Sequence, residues 1–107
     1  GSGGTIAGGP VYALVVRFEV RPESVAAFDR LVAQTLEEIR EYEPRTLTYL
    51  PTAVVDAPAS RVFIEVYEDE AAFVEHERQP HVRHFLQARE PLLDSVRVER
   101  LTDVPTA

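Results

Sequence analysis

Two segments of the sequence carry apolar residues on both faces of the strand that each one predicts. The first, VYALVVRFEV, covers residues 11–20, and the second, RVFIEVYE, covers residues 61–68. Both are rich in β-branched and aromatic residues, which favour strands. Because side chains alternate between the two faces of a strand, apolar residues on both faces require a cover on both sides. This requirement restricts what a chain of 107 residues can fold into.

A long amphipathic helix separates these two strands. Its apolar residues between Pro22 and Tyr42 recur with helical spacing and fall on one side of a helical wheel. The helix is expected to end before Pro44, since the residue before a proline avoids the helical conformation. A strand over 46–55 follows, and Pro51 within it predicts either an edge strand or a bulge.

The second half of the chain predicts a turn, two short helices and a last strand. The segment DAPAS, over 56–60, predicts the turn. Asp69 predicts the N-cap of a helix over 70–78, and Pro80 predicts the first turn of another helix. A final strand is expected over 95–101. The resulting order, β-α-β-β-α(α)-β, is that of a ferredoxin-like α+β fold with an antiparallel sheet.

In this topology the helices cover only one face of the sheet. The other apolar face also needs a cover, and no segment of the chain is left to provide one. A second copy of the chain is the simplest cover, so we expect a homodimer. Residues 11–103 are expected to form one domain, and the Gly-rich segment 1–10 a flexible tail or a cloning tag.

The composition argues against several classes of function. The chain has no Cys, which excludes disulfides, thiolate nucleophiles and Cys-ligated metals. It has 11 basic residues, all Arg, against 18 acidic ones, and a net charge of −7 predicts no binding to nucleic acid or to anionic membranes. No apolar run is long enough for a membrane span and no signal peptide is recognised, so we expect a cytoplasmic protein.

The stretch over 65–85, EVYEDEAAFVEHERQPHVRHF, holds all three histidines of the chain. His76 shares a helix side with Phe73, so it is expected either to accept a proton inside a cavity or to be a boundary histidine bonded to the backbone. His81 and His84 have a spacing that two metal ligands can share. The helical wheel places His81 at the margin of the buried face and His84 toward solvent, which predicts surface histidines and no metal site.

Glu65 lies in the middle of the most apolar strand. A carboxylate there must be paired, hydrogen-bonded or protonated, because an isolated buried charge is too costly. One interpretation is an ion pair with Arg17 or Arg97 across the sheet. The other is an acid or base in a cavity whose aromatic wall includes Phe63 and Tyr67.

Three short motifs occur in order along the chain: EPRTLTY at 43–49, FIEVYEDEAAFVEH at 63–76 and PHVRHF at 80–85. They resemble the antibiotic biosynthesis monooxygenase (ABM) family. Its usual pattern is Glu-Pro-Gly-x-x-x-Tyr, then a strand Glu before an aromatic residue, then His, then Pro-His-x-x-x-Phe. The resemblance extends over about 11–101, although Arg45 stands where the family has Gly.

The resemblance implies a dimeric α/β barrel with a cavity between each sheet and its helices. It also implies oxidation of quinols or of polyphenolic, polyketide-like molecules, often without a metal or a prosthetic group. The expected catalytic residues are His76, Glu65 and His81. The expected substrate-binding residues are aromatic: Tyr49, Phe63, Tyr67, Phe73 and Phe85.

Together these features predict a cofactor-independent monooxygenase that acts on an aromatic small molecule. His76 is the expected base, and His81 or Tyr49 would stabilise the negative charge that develops. Two alternatives stay open: an isomerase of the same fold with Glu65 and His76 as an acid–base pair, or a binding module without catalysis. The best-understood monooxygenases of the family and its haem-degrading branch rely on Asn and Trp, and the chain contains neither.

Overall fold

Four strands and three helices follow one another in the order β-α-β-β-α-α-β in the computed structural model, which describes residues 10–105. The predicted tail over 1–10 lies, except for Pro10, outside the described residues. The elements are β1 (Tyr12–Val20), α1 (Val25–Tyr42), β2 (Thr46–Val54), β3 (Ala57–Tyr67), α2 (Glu70–Arg78), α3 (Pro80–Ala88) and β4 (Leu93–Thr102). Short 3₁₀ turns over Pro22–Ser24 and Glu90–Leu92 precede α1 and β4.

The four strands form one antiparallel sheet in the order β2-β3-β1-β4. This architecture confirms the predicted ferredoxin-like α+β fold. β2 is an edge strand, as Pro51 predicts, and Pro51 lies opposite Phe63 of β3. An edge strand has one free side, so a proline there need not interrupt a ladder on both sides.

The connection between β2 and β3 is shorter than the sequence predicts. Instead of a turn over 56–60, β2 ends at Val54 and β3 already begins at Ala57. Asp56 has a φ of 66°, a left-handed conformation that tight hairpins need and that Asp tolerates. Pro58 lies where the register between β2 and β3 shifts, so its missing N–H breaks no regular ladder bond. The predicted long turn is therefore wrong, and its residues extend β3.

The helices cover one face of the sheet and enclose the hydrophobic core. α1 packs there as predicted, with Phe28, Leu31 and Ile39 buried. Phe18 of β1 and Phe63 of β3 meet with their ring centroids 4.6 Å apart. None of the helices described over residues 10–105 is long and apolar enough to cross a membrane.

Two short helices carry the histidines. Asp69 caps α2 as predicted, and its carboxylate accepts a hydrogen bond of 2.8 Å from the backbone N–H of Ala72. Pro80 begins α3, also as predicted, at a position where a backbone N–H is not needed. His76 consequently lies near the end of one helix, and His81 near the start of the next.

The opposite face of the sheet carries apolar side chains that stay open to solvent in the part of the chain described. Val15 of β1 lies beside Ile64 of β3, and Ile64 lies beside Leu50 of β2. Ile64 is 40% exposed, Leu50 50% and Leu101 44%. Monomeric proteins rarely expose a contiguous apolar patch of this kind unless it binds something. The homodimer predicted from the sequence is the simplest cover for this face and stays a prediction.

We expect light scattering to give the mass of two chains for the wild-type protein. Ile64→Asp should give the mass of one chain at micromolar concentration, because a charge buried between two sheets is costly. Val55→Asp is the matched control, since Val55 is an apolar residue that is 86% exposed in the β2–β3 turn, and it should leave the mass unchanged. A one-chain mass for the wild-type protein would contradict the prediction.

Candidate functional site

A cavity of about 220 Å³ lies between the sheet and the helices α2 and α3. Most of the predicted site residues line it: Tyr49, Glu65, Phe73, His76 and Phe85. Phe63 packs edge-on against Tyr49, with ring centroids 5.8 Å apart, and Tyr67 hydrogen-bonds to Glu65. His81 is not part of the wall. The sequence pattern thus names five of the residues that line this cavity.

A buried carboxylate that the sequence analysis did not select binds both buried histidines. Glu43 follows α1 and is 8% exposed. Its Oε1 lies 2.6 Å from Nδ1 of His76 and 2.7 Å from the hydroxyl of Thr46, and its Oε2 lies 2.5 Å from Nε2 of His81. Burial alone would raise the pKa of Glu43, but the hydrogen bond and charge of His76 and the bonds from Thr46 and His81 hold that pKa below its ordinary value. Glu43 is therefore a carboxylate with three donors.

The signal for Glu43 is present in the sequence, because it is the first residue of the motif over 43–49. Its position before Pro44 accounts equally well for the end of α1, so the sequence alone indicated no partner for it. Its partners His76 and His81 lie 33 and 38 residues further on. The pairing appears only when α2 and α3 fold back onto the end of α1.

His76 directs one ring nitrogen to Glu43 and leaves the other free at the cavity. Since a carboxylate oxygen can only accept, Nδ1 of His76 is the donor, and Nε2 carries the lone pair of the neutral ring. Within residues 10–105 no hydrogen-bond partner satisfies Nε2, and His76 lines the cavity. The ring is 5% exposed and lies 5.0 Å from Tyr67 and 5.7 Å from Tyr49 between centroids. The alternative of a boundary histidine bonded to the backbone is wrong.

His81 is buried, and the prediction of a surface histidine is wrong for this residue. It is 7% exposed, and its ring lies 6.2 Å from that of Tyr42 between centroids. The helical wheel of α3 did not include the end of α1, which covers His81 and supplies Glu43 as its partner. His84 is exposed as predicted. Across residues 10–105, no three His, Asp or Glu side chains are grouped so that they could hold a metal ion.

Glu65 is hydrogen-bonded rather than ion-paired. Oη of Tyr67 donates to its Oε1 at 2.6 Å, and the carboxylate is buried on the helix side of the sheet. Arg17 pairs instead with Glu19 on the opposite face, so the interpretation of Glu65 as a cross-sheet ion pair is wrong. Burial raises the pKa of Glu65, although the Tyr67 hydrogen bond and the charges of His76 and Arg89 partly offset this.

The two tyrosines at the cavity stay protonated. Burial and the neighbouring carboxylate of Glu65 raise the pKa of Tyr67, whose hydroxyl donates to that carboxylate. Burial and the charge of Glu65 also raise the pKa of Tyr49 well above its ordinary value. Tyr49 lines the cavity, and its hydroxyl has no hydrogen-bond partner in the described part of the chain. It is therefore available as a donor to a ligand.

Arg45, which stands where the family pattern has Gly, ties the start of β2 to α2. Its guanidinium contacts Glu75 and lies 2.8 Å from Asp69 and 3.4 Å from Glu68. Asp69 is also the N-cap of α2, so one carboxylate joins the cap to β2. This contact fixes the helix that carries His76.

The fold and this site define a ferredoxin-like α+β protein with a histidine-bearing cavity between its sheet and its helices. The model of the antibiotic biosynthesis monooxygenase family matches residues 11–88. Because this match spans most of the chain, the protein belongs to the ABM family. The family resemblance found in the motifs is thereby confirmed.

Solved bacterial structures share this fold. A protein from Caulobacter crescentus assigned to the same family has a TM-score of 0.84 at 20% identity, with 90% of this chain and 92% of that chain covered. A Mycobacterium tuberculosis protein has a TM-score of 0.81 at 26% identity, covering 91% and 98%. A Pseudomonas aeruginosa protein has a TM-score of 0.82 at 22% identity, covering 91% and 97%. No curated protein matches the sequence significantly.

We expect Glu43→Gln to lower the free energy of unfolding by about 1–3 kcal/mol at pH 7, because the amide leaves one buried donor without an acceptor. The native state holds the pKa of Glu43 below its unfolded value, so this stabilisation is complete above about pH 4.3 and is lost as the pH falls through the native pKa. The difference in the free energy of unfolding between Glu43→Gln and the wild-type protein should therefore be smaller in acid. Urea unfolding at pH 7 and pH 3 measures it, with exposed Glu37→Gln as the control. If Glu43→Gln lowered the free energy of unfolding equally at pH 7 and pH 3, Glu43 would not be the ionised acceptor described above.

We expect Glu65→Gln to raise the melting temperature. The amide oxygen can still accept from Tyr67, and the cost of burying a charge disappears. The native pKa of Glu65 lies above its unfolded value, so its ionisation destabilises the fold increasingly as the pH rises above the unfolded pKa. The gain should thus be larger at pH 8 than at pH 4, as measured by thermal unfolding with exposed Glu38→Gln as the control. A loss of stability at pH 8 would disprove this account of Glu65.

Proposed function

We propose that the protein is a monooxygenase that oxidises a quinol or polyphenolic small molecule without a bound cofactor. Membership of the ABM family supports a monooxygenase-like function. The finer proposal depends on the geometry of His76. Its Nδ1 is held 2.6 Å from Oε1 of Glu43, which leaves Nε2 as the acceptor at the cavity wall.

The proposed chemistry requires one proton acceptor and a dry pocket. Nε2 of His76 removes a phenolic proton, and the resulting phenolate gives electrons to O₂ more readily than the phenol does. The quinol loses two hydrogens and gains one oxygen atom from O₂ to become a hydroxyquinone. The second oxygen atom leaves as water with those two hydrogens. All four electrons come from the substrate, so the reaction needs no external reductant.

The residues around His76 have distinct proposed roles. Glu43 holds the ring orientation and stabilises the imidazolium that forms when Nε2 takes the proton. Tyr49 stays protonated and lines the same cavity, so its hydroxyl would donate to the substrate oxyanion. His81, the other residue expected in that role, is outside the cavity wall and acts as a positioning residue through Glu43.

A second candidate function is a non-oxidative isomerase. Glu65 and His76 both line the cavity, and burial raises the pKa of Glu65. A carboxylic acid and a neutral imidazole at one ligand could move a proton from one carbon or oxygen atom to another. Conversion of a substrate in the absence of O₂ would favour this function over the monooxygenase. Binding without any conversion would favour a non-catalytic module.

We expect His76→Asn to lower the turnover of hydroquinone by a factor on the order of 10²–10⁴, the usual contribution of a general base. The Asn amide can still donate to Glu43, so the fold should be retained, while the acceptor at Nε2 is lost. An oxygen electrode measures turnover, and added imidazole should restore part of it. Mass spectrometry with ¹⁸O₂ should find one labelled oxygen atom in each hydroxyquinone.

The control for this variant is His84→Asn, because His84 is exposed on α3. It should keep wild-type turnover. Thermal unfolding of each variant separates lost activity from lost structure. Wild-type turnover by a folded His76→Asn protein would disprove the role of His76, and unlabelled product would disprove oxygen insertion.

A further inference from the structure

One cation at the cavity has no counter-charge in direct contact. Arg89 follows α3 and lines the cavity. Its guanidinium carbon lies 5.3 Å from the ring centroid of Phe18 and 5.5 Å from that of Phe85. Its Nε is buried and has no hydrogen-bond partner, and within residues 10–105 the side chain forms no salt bridge. Three carboxylates act on its charge at longer range, namely Glu90, Glu65 and Glu77. Of these, Glu65 accepts a hydrogen bond from Tyr67, and Glu77 also lines the cavity.

Arg89 differs in this respect from the second arginine at the same cavity. Arg100 donates from its Nη1 to Oη of Tyr12 at 2.7 Å and lies over the ring of Phe73. Arg61, elsewhere in the fold, forms two hydrogen bonds to Asp29 at 2.9 and 3.0 Å. Burial disfavours the charged form of Arg89 and lowers its pKa, yet a guanidinium stays protonated in proteins. A buried donor without a partner is costly, so it points to a ligand that supplies the acceptor.

We infer that Arg89 binds the carboxylate of the substrate, and that the substrate is a hydroxyaryl carboxylic acid. A guanidinium presents several N–H donors in one plane, which match the two oxygens of a carboxylate. The aromatic rings of Phe18 and Phe85 beside it exclude water and strengthen such a bond. The hydroxyaryl part of this inference rests on the proposed function, whereas the carboxylate part rests on Arg89.

The carboxylate and the reacting hydroxyl group bind at different parts of the cavity. Arg89 lies against Phe18 and Phe85, while His76 lies against Tyr49, Tyr67 and Phe73. Tyr49 lies near both side chains, because its hydroxyl is also within range of the charge of Arg89. A ligand with an acidic group at one end and a hydroxyl group at the other satisfies both.

The cavity volume is sufficient for one aromatic ring. An internal cavity of about 150 Å³ holds one benzene molecule. At about 220 Å³, the cavity of this chain holds one aromatic ring with its substituents. We therefore expect a one-ring acid to fit this cavity.

The test compares two probes of similar shape, 2,5-dihydroxybenzoate, which carries a carboxylate, and 2,5-dihydroxybenzamide, which carries a neutral carboxamide in its place. Isothermal titration calorimetry without O₂ should give wild-type protein about tenfold or greater preference for the carboxylate, as a charge-assisted hydrogen bond predicts. Arg89→Gln should remove this preference, and Arg89→Lys should keep part of it. The matched control is Arg83→Gln, because Arg83 is exposed on α3, and it should keep the full preference.

Equal affinity of the two probes for wild-type protein, or no binding of either, would overturn the inference even if an Arg89 variant failed to fold. An Arg89→Gln protein that folds and keeps the preference would also overturn it. The proposed function fails separately. A carboxylate preference without O₂ uptake on either 2,5-dihydroxybenzoate or hydroquinone supports the anion site and contradicts the monooxygenase. O₂ uptake without a carboxylate preference supports the monooxygenase and contradicts the anion site.

Discussion

The candidate site depends on one buried carboxylate. Glu43 receives hydrogen bonds from His76, His81 and Thr46, and these donors come from α2, α3 and the start of β2. A carboxylate with three donors is stable out of water, whereas the same group without them would be too costly to bury. The bonds also bring the ends of three segments together at one point. The orientation of His76 and the position of both short helices follow from this contact.

On the sheet side of the cavity, Tyr67 and Glu65 form a second polar pair. Tyr67 donates to Glu65 there, so the carboxylate is satisfied without a cation. Arg89, at another part of the same cavity, has no such partner in the described residues. The cavity thus contains an imidazole with one uncommitted nitrogen, a hydrogen-bonded acid and a cation without a hydrogen-bond partner at Nε. This combination suits a ligand that brings both a proton to lose and a negative charge.

Sequence patterns predicted the fold well because its determinants are local. Apolar alternation predicted β1 and β3, helical spacing predicted α1, and Asp69 and Pro80 predicted the starts of α2 and α3. The prediction of a turn over 56–60 was wrong, because Asp56 adopts a left-handed conformation and a register shift accommodates Pro58. A single strand pattern does not reveal either feature.

The site was predicted less completely because its contacts are long-range. Glu43 was interpreted only as the end of a helix, and His81 as a surface residue, since each is explained by a partner more than thirty residues away. The ion pair suggested for Glu65 failed because Arg17 lies on the other face of the sheet, paired with Glu19. The isolated position of Arg89 depends on which groups surround it in three dimensions, so no motif could indicate it.

The protonation of the His76 ring tests the central claim most directly, and ¹⁵N-detected NMR of the histidine side chains measures it. In the ligand-free protein, the neutral form of the His76 ring should carry its proton on Nδ1 and none on Nε2, while the neutral His81 ring should carry its proton on Nε2. The Glu43→Gln variant should lose this fixed pattern, and exposed His84 should be unaffected by it. A neutral His76 ring with its proton on Nε2 in the wild-type protein would contradict the account, because no acceptor would then face the cavity.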